Sequence, residues 1–375
     1  MSIALKELWR QPQRFLPVWV ALTLLVVLLV ILAGFLDGLS RSQTGPYRAY
    51  DGDVFVLSDD ANLQVQRSRV SADALTDQGL DDVADVGFLD AAFTVAAVEG
   101  TATGNTSSDN SDDGTNLQDV ALYGYSMSSS VLPHAPDAGE VVVDKQLTRQ
   151  IDVEVGDRLV LGPSAEPMTV AAIVDDLSAG APTLWVNGDE WRRLVGTINP
   201  ALLPPSGQHL ALIAQPGADI KASTVVEQVD QIDGLEAADV ADMIGALSVV
   251  QQQNATFTAI IGVTFVVSLL VVALFFALIT LEQTRLYAVF KALGATTREL
   301  LTGISVQAVV LTLIALAVGM AISAVLVAAL PPTLPVRVLP TRLLEVAVGL
   351  LVTSVIGGLL TARRLLRIDP ASSIG

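Results

Sequence analysis

The 375-residue chain contains no cysteine and only two histidines. Without cysteine there is no disulfide, thiol nucleophile, thiolate metal site or thiolate haem ligand. Any part of the chain on the oxidising side of a membrane must therefore fold without covalent staples. His134 and His209 stand apart, among polar or proline-rich neighbours, and read as loop or surface residues, with a metal- or haem-ligand role as the alternative. Lysine is scarce, and basic residues number 21 against 39 acidic. No G-x-S-x-G elbow, H-E-x-x-H pair or His–Cys pair occurs, so no catalytic set is present. No G-x-x-x-x-G-K-[ST] occurs either, so the chain has no P-loop for a nucleotide and any ATP-driven work must come from another chain.

Apolar residues, in contrast, are abundant. They make up 51% of the chain, and the mean hydropathy is +0.56. A span needs roughly 20 apolar residues. Four stretches qualify: Phe15 to Leu36, Phe257 to Leu281, Leu301 to Leu330, and Leu343 to Leu360, the last running to 362 before a basic tail at 363–375. The third is overlong and is expected to tilt. The first follows Lys6, Arg10 and Arg14, as in a signal peptide, but it is long and no small-residue cleavage site follows it, so an uncleaved span is expected. Lys and Arg flank the ends that precede 15, separate 281 from 301 and follow 362, which places both termini and the 282–300 loop in the cytoplasm. The short 331–342 loop and residues 37–256 then face outward.

Charge is partitioned in the same way. Residues 37–250 hold 34 acidic and 10 basic side chains, the remainder 5 and 11. An acidic exterior over a basic inner face suits solubility and topology. A solvated surface, rather than a cation or acidic-ligand site, is the expected meaning; a high-salt habitat is also compatible. Residues 37–256 are long enough for a domain with its own core. Strands are expected at 53–57, 139–144, 158–162 and 168–174, and helices at 71–78 and 222–232. The polar 104–114 stretch reads as a flexible loop; its Asp109, Asp112 and Asp113 match no EF-hand spacing. Residues 1–14 carry Ile3, Leu5, Leu8 and Trp9 and read as an interfacial amphipathic helix stopped near Pro12, with Trp19 as an interface anchor or lipid-facing residue.

The 282–300 segment is too polar for lipid and too short for a domain. Leu286, Val289, Phe290 and Leu293 recur at helical spacing, while Arg285 and Lys291 lie off that stripe. Gly294 is placed to stop the helix, and Thr296 or Thr297 to cap the next. Such a helix either turns the chain at the membrane surface or docks on a cytoplasmic partner.

Three stretches carry a resemblance: 286–301 (LYAVFKALGATTRELL), the tail 362–375 (ARRLLRIDPASSIG) and 139–162 (GEVVVDKQLTRQIDVEVGDRLVLG) followed by MTVAAIVDD. They resemble permeases of the MacB/FtsX superfamily, the type VII ABC transporters. Lys291 to Ala295 match that family's cytoplasmic segment position for position, Pro370 its tail, and Val155-Gly156-Asp157 its turn in the outer core domain. The N-terminal runs ALKELWRQPQRFL, LAGFLDGLSR and YDGDVFVLSDDANLQVQRSRVS are similar to the HrtB branch, the permeases of haem exporters. The resemblance implies a four-span α-helical protein of the bacterial plasma membrane, with an α+β extracytoplasmic domain inserted between the first and second spans. It implies a homodimer, no enzymatic activity of its own, and two copies of an ABC ATPase holding ATP and Mg. Glu282, Arg285, Leu286, Val289, Phe290, Lys291, Leu293 and Gly294 become the ATPase-coupling set. Membrane lipids are partners and nucleic acid is not. No permanent cofactor is expected; haem enters as cargo, with Glu345 and Met320 as candidate ligands. For Glu345 a boundary position or pairing with Arg342 competes with that role, and for Met320 ordinary packing does. FtsX-like signalling to a cell-wall hydrolase, export of a lipid, glycolipid or peptide, and a membrane adhesin or receptor without an ATPase stand as alternatives.

Overall fold

The computed structural model describes residues 12–80, 82–99, 117–126, 131–162, 166–282, 289, 296–331 and 334–365. It divides into two units, residues 1–38 with 254–375, and residues 39–253.

The first unit is helical. Helix α1 (Pro12–Gln43) and three later helices, Ser248–Glu282, Thr297–Ala329 and Pro340–Leu365, are long, and each contains a stretch long and apolar enough to cross a membrane. Their apolar character runs all round. Phe15, Val18 and Leu22 of α1 are buried with Val272, Phe276, Leu311 and Ala315. Leu16, Val20, Leu24 and Leu28 of the same helix remain exposed. A helix apolar on both its packed and its open face suits lipid rather than water. Helices α7 (Ser248–Glu282), α8 (Thr297–Ala329) and α9 (Pro340–Leu365) repeat the pattern. Their bounds exceed the apolar stretches at several ends, because polar residues continue the helix beyond the apolar part. Inside, hydroxyls bond within the bundle: Thr312 Oγ1 donates to Ser354 Oγ at 2.7 Å, linking α8 to α9.

In the second unit, α2 (Gly45–Arg48) leads into β1 (Val54–Ser58), β2 (Val70–Ser71), β3 (Val83–Val98), β4 (Gln118–Ser126), β5 (Glu140–Asp144), α3 (Lys145–Thr148), β6 (Arg158–Leu161), β7 (Met168–Val174) and β8 (Thr183–Asn187). Then follow α4 (Gly188–Ile198), β9 (Gln208–His209), β10 (Ala211–Pro216), α5 (Ala222–Val229), β11 (Leu235–Asp239) and α6 (Val240–Ala246). The strand order is β11-β1-β10-β3-β4-β8-β5-β7-β6, and β6 pairs back onto β3. The 16-residue β3 makes this possible. Its first part pairs with β10, its middle with β4, and Ala96 to Val98 pair with β6. Six strands thereby close a ring that has no edge. Its inward residues, including Val120, Leu122, Val141, Val143, Leu161 and Val186, form one core. On the open side, β1 alternates between two further cores: Phe55 and Leu57 enter one, Val54 and Val56 the other. The edge strand β11 is blunted where Ala237 N donates to Asp230 Oδ1 at 2.8 Å.

The expected strands at 53–57, 139–144, 158–162 and 168–174 correspond to β1, β5, β6 and β7. The helix expected at 71–78 is absent. Ser71 belongs to β2, and only Thr76–Gln78 form a single 3₁₀ turn, ended by Gly79 at φ +61. Ser71 and Val70 are drawn into pairing with Gln208 and His209, far away in sequence. The helix expected at 222–232 ends at Val229. The 104–114 stretch, residues 1–11 and the 366–375 tail lie outside the described residues.

Candidate functional site

Of the coupling set, Glu282 and Val289 are described; Arg285, Leu286, Phe290, Lys291, Leu293 and Gly294 lie outside the described residues. Glu282 is the last residue of α7, Val289 is exposed, and α8 begins at Thr297. The two haem-ligand candidates lie in the helical unit. Glu345 Oε2 accepts from Arg342 Nη1 at 2.8 Å, and Met320 packs against the apolar cluster of Val26, Leu29, Val30 and Leu350.

Arg342 has a second partner that the sequence did not suggest. Its Nε donates to Asp37 Oδ1 at 3.1 Å. Asp37 is 8% exposed, and its Oδ2 has no hydrogen-bond partner among the described residues. One guanidinium on α9 therefore holds two carboxylates, one from α1 and one three residues on along α9, in a cluster of net charge −1. Charge at such a place in an apolar bundle is costly and needs a reason. The local backbone explains how the helices come so close. Gly34 and Gly38 are four apart on α1, and the chain preceding α9 lies directly on them. Arg337 N donates to Gly34 O at 2.9 Å. A Cβ on Gly38 would stand 1.8 Å from Pro335 O. The small-residue pair thus receives extended chain rather than a second helix.

Within the sheet unit the polarity is reversed. Asp176, after β7, accepts from Arg41 Nε at 2.6 Å and from Arg48 Nη1 and Nη2, both at 3.1 Å. Its backbone carbonyl accepts from Arg48 Nη2 at 2.9 Å. Asp176 adopts φ +69, a conformation asparagine and aspartate tolerate better than most residues. Backbone bonds fasten the same loop to the end of α1: Gly45 N to Ser178 O at 2.9 Å and Gly180 N to Ser42 O at 2.8 Å. Gly45 has no room for a side chain, since a Cβ would meet Leu177 C at 2.2 Å. From beneath, buried Asp144 of β5 accepts from Leu177 N at 2.9 Å and Ser178 Oγ at 2.6 Å, while also capping α3.

His209 corrects the sequence reading. It is not a surface residue; it is buried, with Nδ1 2.8 Å from Asp90 Oδ2 and its ring stacked on Phe88 at 3.7 Å. Asp90 is fully buried and also accepts from Leu210 N at 2.8 Å. The pair is a satisfied core contact across 119 residues of sequence. His134 is half exposed and lies 3.5 Å from Glu140 Oε2. Glu140 is held below the usual carboxylate range by the Asp137 backbone N–H and then by His134. Nearby on the chain from α2, Asp53 is pushed up to about 6 by burial and by Asp51, and burial lifts the Tyr47 phenol to about 12. Among the described residues no cluster of metal-ligating side chains forms.

Comparison with known proteins gives these observations a context. Residues 258–370 match the FtsX-like permease C-terminal domain. A Staphylococcus haemolyticus protein named as a hemin transport system permease, HrtB, is 29% identical over 111 residues, which is 30% of this chain and 32% of that protein. An uncharacterised ABC transporter permease of Mycobacterium bovis is 36% identical over 122 residues, 32% of this chain and 33% of its own length. The chain thus spans about one third of the length of these relatives. Among solved structures, the periplasmic region of MacB from Actinobacillus actinomycetemcomitans aligns with 52% of this chain and 92% of its own, at 13% identity and a TM-score of 0.33. The extracellular domain of the ABC-type transporter YknZ aligns with 50% of this chain and 98% of its own, at 12% identity and a TM-score of 0.29. Residues 258–370 are thus similar to the C-terminal domain of FtsX-like permeases, and this match, these relatives and the four apolar helices make the chain a multi-pass membrane protein with an FtsX-like permease domain.

Proposed function

We propose that the chain is the membrane subunit of an ATP-driven exporter, acting as a homodimer with two copies of a separate ABC ATPase. The observation that carries this reading is the FtsX-like permease domain over 258–370, which contains a polar, helix-prone segment between two spans, in a chain with no P-loop. In this reading the 282–300 segment lies in the cytoplasm and presents Leu286, Val289, Phe290 and Leu293 to the ATPase, with Arg285 and Lys291 at the rim. ATP and Mg belong to the partner. The sheet unit stands on the outer side, where its acidic surface keeps it solvated.

Haem, or a flat amphiphile like it, is the cargo we favour. The support is the name of the Staphylococcus relatives together with the N-terminal likeness to the HrtB branch. A lipid-partitioning cargo suits entry between spans and expulsion toward the outside. Glu345 Oε2 already accepts from Arg342, so the ion pair and the cargo would share one carboxylate.

Co-expression with a candidate ABC ATPase tests the core of the proposal. The two should co-purify, and hydrolysis should require the partner. Leu293→Asp should weaken the complex by about tenfold or more, since it places a charge in a buried contact. Substantial ATP hydrolysis by the chain alone would overturn it. For the cargo, haem titration of the purified protein should give a Soret shift that weakens in Glu345→Ala or Met320→Ala; if neither changes it, those residues leave the site. Capture of a cell-wall hydrolase by residues 37–256, with no cargo-stimulated hydrolysis, would favour signalling instead.

A further inference from the structure

The sheet unit has cores on both faces of β4, and the two treat their tryptophans differently. In the core of the closed ring, Trp191 is buried and its Nε1 donates to Leu122 O at 3.0 Å. In the core on the other face, Trp185 is equally buried, yet its Nε1 has no hydrogen-bond partner among the described residues. The Tyr50 and Tyr125 hydroxyls of that same core are also buried without a partner. Buried indole and phenol groups ordinarily find one. Three lapses in a single cluster mark a place where something polar is missing.

The rings form two triads. Tyr47 of α2 and Tyr50 just after it lie against Phe55 of β1, at centroid distances of 5.6 and 5.7 Å. Tyr123 and Tyr125 of β4 lie against Trp185 of the neighbouring β8 at 5.2 and 5.9 Å, the first stacked and the second edge-on. Strand alternation puts both tyrosines of β4 on one face. The triads act on each other electrostatically. Burial, then Tyr125 and Asp53, push the Tyr50 phenol well above its usual range, and burial, then Tyr47, do the same for Tyr123. Even so, Tyr50 and Tyr125 do not hydrogen-bond each other.

Phenols that keep their protons can donate, and an indole N–H can only donate. A guest that satisfies all three groups must therefore offer acceptor oxygens. The carboxylate acting on Tyr50 is that of Asp53, which disfavours an anion. A cation would sit well on the rings but would leave Trp185 Nε1 without an acceptor. We propose that Tyr50, Tyr125 and Trp185 form a binding site within the sheet unit for a small neutral molecule that carries acceptor oxygens on a flat apolar body, held between the two aromatic triads. Cover is thinnest at Tyr47 and Tyr123, 9% and 8% exposed, which makes that side the entrance. The site does not depend on the exporter reading.

Benzamide, a flat neutral ring with one carbonyl, is a suitable probe. The test uses the full chain in nanodiscs, with its four tryptophans labelled as 5-fluorotryptophan. Trp185→Phe and Trp191→Phe assign the two fluorine signals of interest. Benzamide, at up to about 10 mM, should move the Trp185 signal saturably and leave that of Trp191 in place. Tyr50→Phe and Tyr125→Phe keep the ring and remove one donor, so each should weaken binding about three- to tenfold. No movement of the Trp185 signal would mean that ordered water alone fills the gap, and would overturn the proposal. So would equal movement of both signals, which is the mark of non-specific partitioning. A response to tetramethylammonium but not to benzamide would identify a cation cage and overturn it too, as would wild-type affinity for benzamide in both phenol variants. If one variant does not fold, the other carries the test. If neither folds, the wild-type titration decides, and movement at Trp185 without movement at Trp191 supports the site.

Discussion

Two ionic clusters in this molecule are mirror images. Around Arg342, one cation holds two anions, Asp37 and Glu345; around Asp176, one anion holds two cations, Arg41 and Arg48. Asp37 and Arg41 lie one turn apart on α1. The two differ in how completely they are satisfied. Asp176 is surrounded by guanidinium groups and a stitched backbone, and its side chain is 23% exposed. Asp37 is more deeply buried, yet one of its oxygens has no partner among the described residues. Burial decides what such a cluster is worth. The buried anion Asp37 is dear to strand without its cation, even though Arg342 itself is 43% exposed, whereas Asp176 is cheaper to strand and useful mainly for geometry.

The comparison can be broken most severely at Arg342. Arg342→Ala leaves Asp37 buried with no cation and should cost about 3–5 kcal/mol, read as a large fall in the thermal midpoint of the detergent-solubilised protein. Replacing both partners, Asp37→Leu with Arg342→Met, should recover most of that loss. A double variant as unstable as the single would show that the pair itself is stabilising. Asp176→Ala should cost less, about 1–3 kcal/mol, because water can reach the two released arginines. Equal costs for the two would erase the distinction drawn here. Glu345→Gln should fall within about 0–1 kcal/mol, since that carboxylate is 63% exposed.

The gentlest test uses pH. Asp53, close to Asp51 rather than to a cation, titrates at about 6 in the folded protein, above its ordinary 3.8. Folding therefore takes up a proton between those values. The stabilising contribution is full below about 3.8 and is lost as pH rises through about 6. Warming the wild type at pH 5 and at pH 7 should show a higher midpoint at pH 5, and Asp53→Asn should reduce the difference. An unchanged difference would exclude Asp53 as its source.

What the sequence revealed followed from periodicity. Four apolar runs stood out because a span leaves a continuous record, and β1, β5, β6 and β7 because β-branched residues cluster in them. β3 escaped notice because Asp85, Gly87, Asp90 and its alanines dilute the strand signal over 16 residues, although it is the strand that closes the ring. The 71–78 region looked helical because its local composition said nothing of its pairing with 208–209. The Asp37–Arg342 pair, the Asp176 cluster and the Asp90–His209 contact were hidden for one reason: the partners are separated by more than a hundred residues, whereas the Arg342–Glu345 pair, three residues apart, was legible. Glu345 was picked out because a charge among apolar residues is conspicuous. Asp37, which is more buried, was not, because it sits where a span appears to end.

The glycine face of α1 has a consequence for how the protein is made. Gly34 and Gly38 are covered by residues 335–338, which the ribosome supplies about 300 residues later, a delay of about 15–60 s at ordinary bacterial synthesis rates. Throughout that interval the first helix waits in the bilayer with its narrow face open and Asp37 lacking Arg342, while the strands between are being completed. The newborn chain is thus exposed to mispairing with another nascent copy through the same two glycines, and assembly of this unit cannot finish before its last helix arrives.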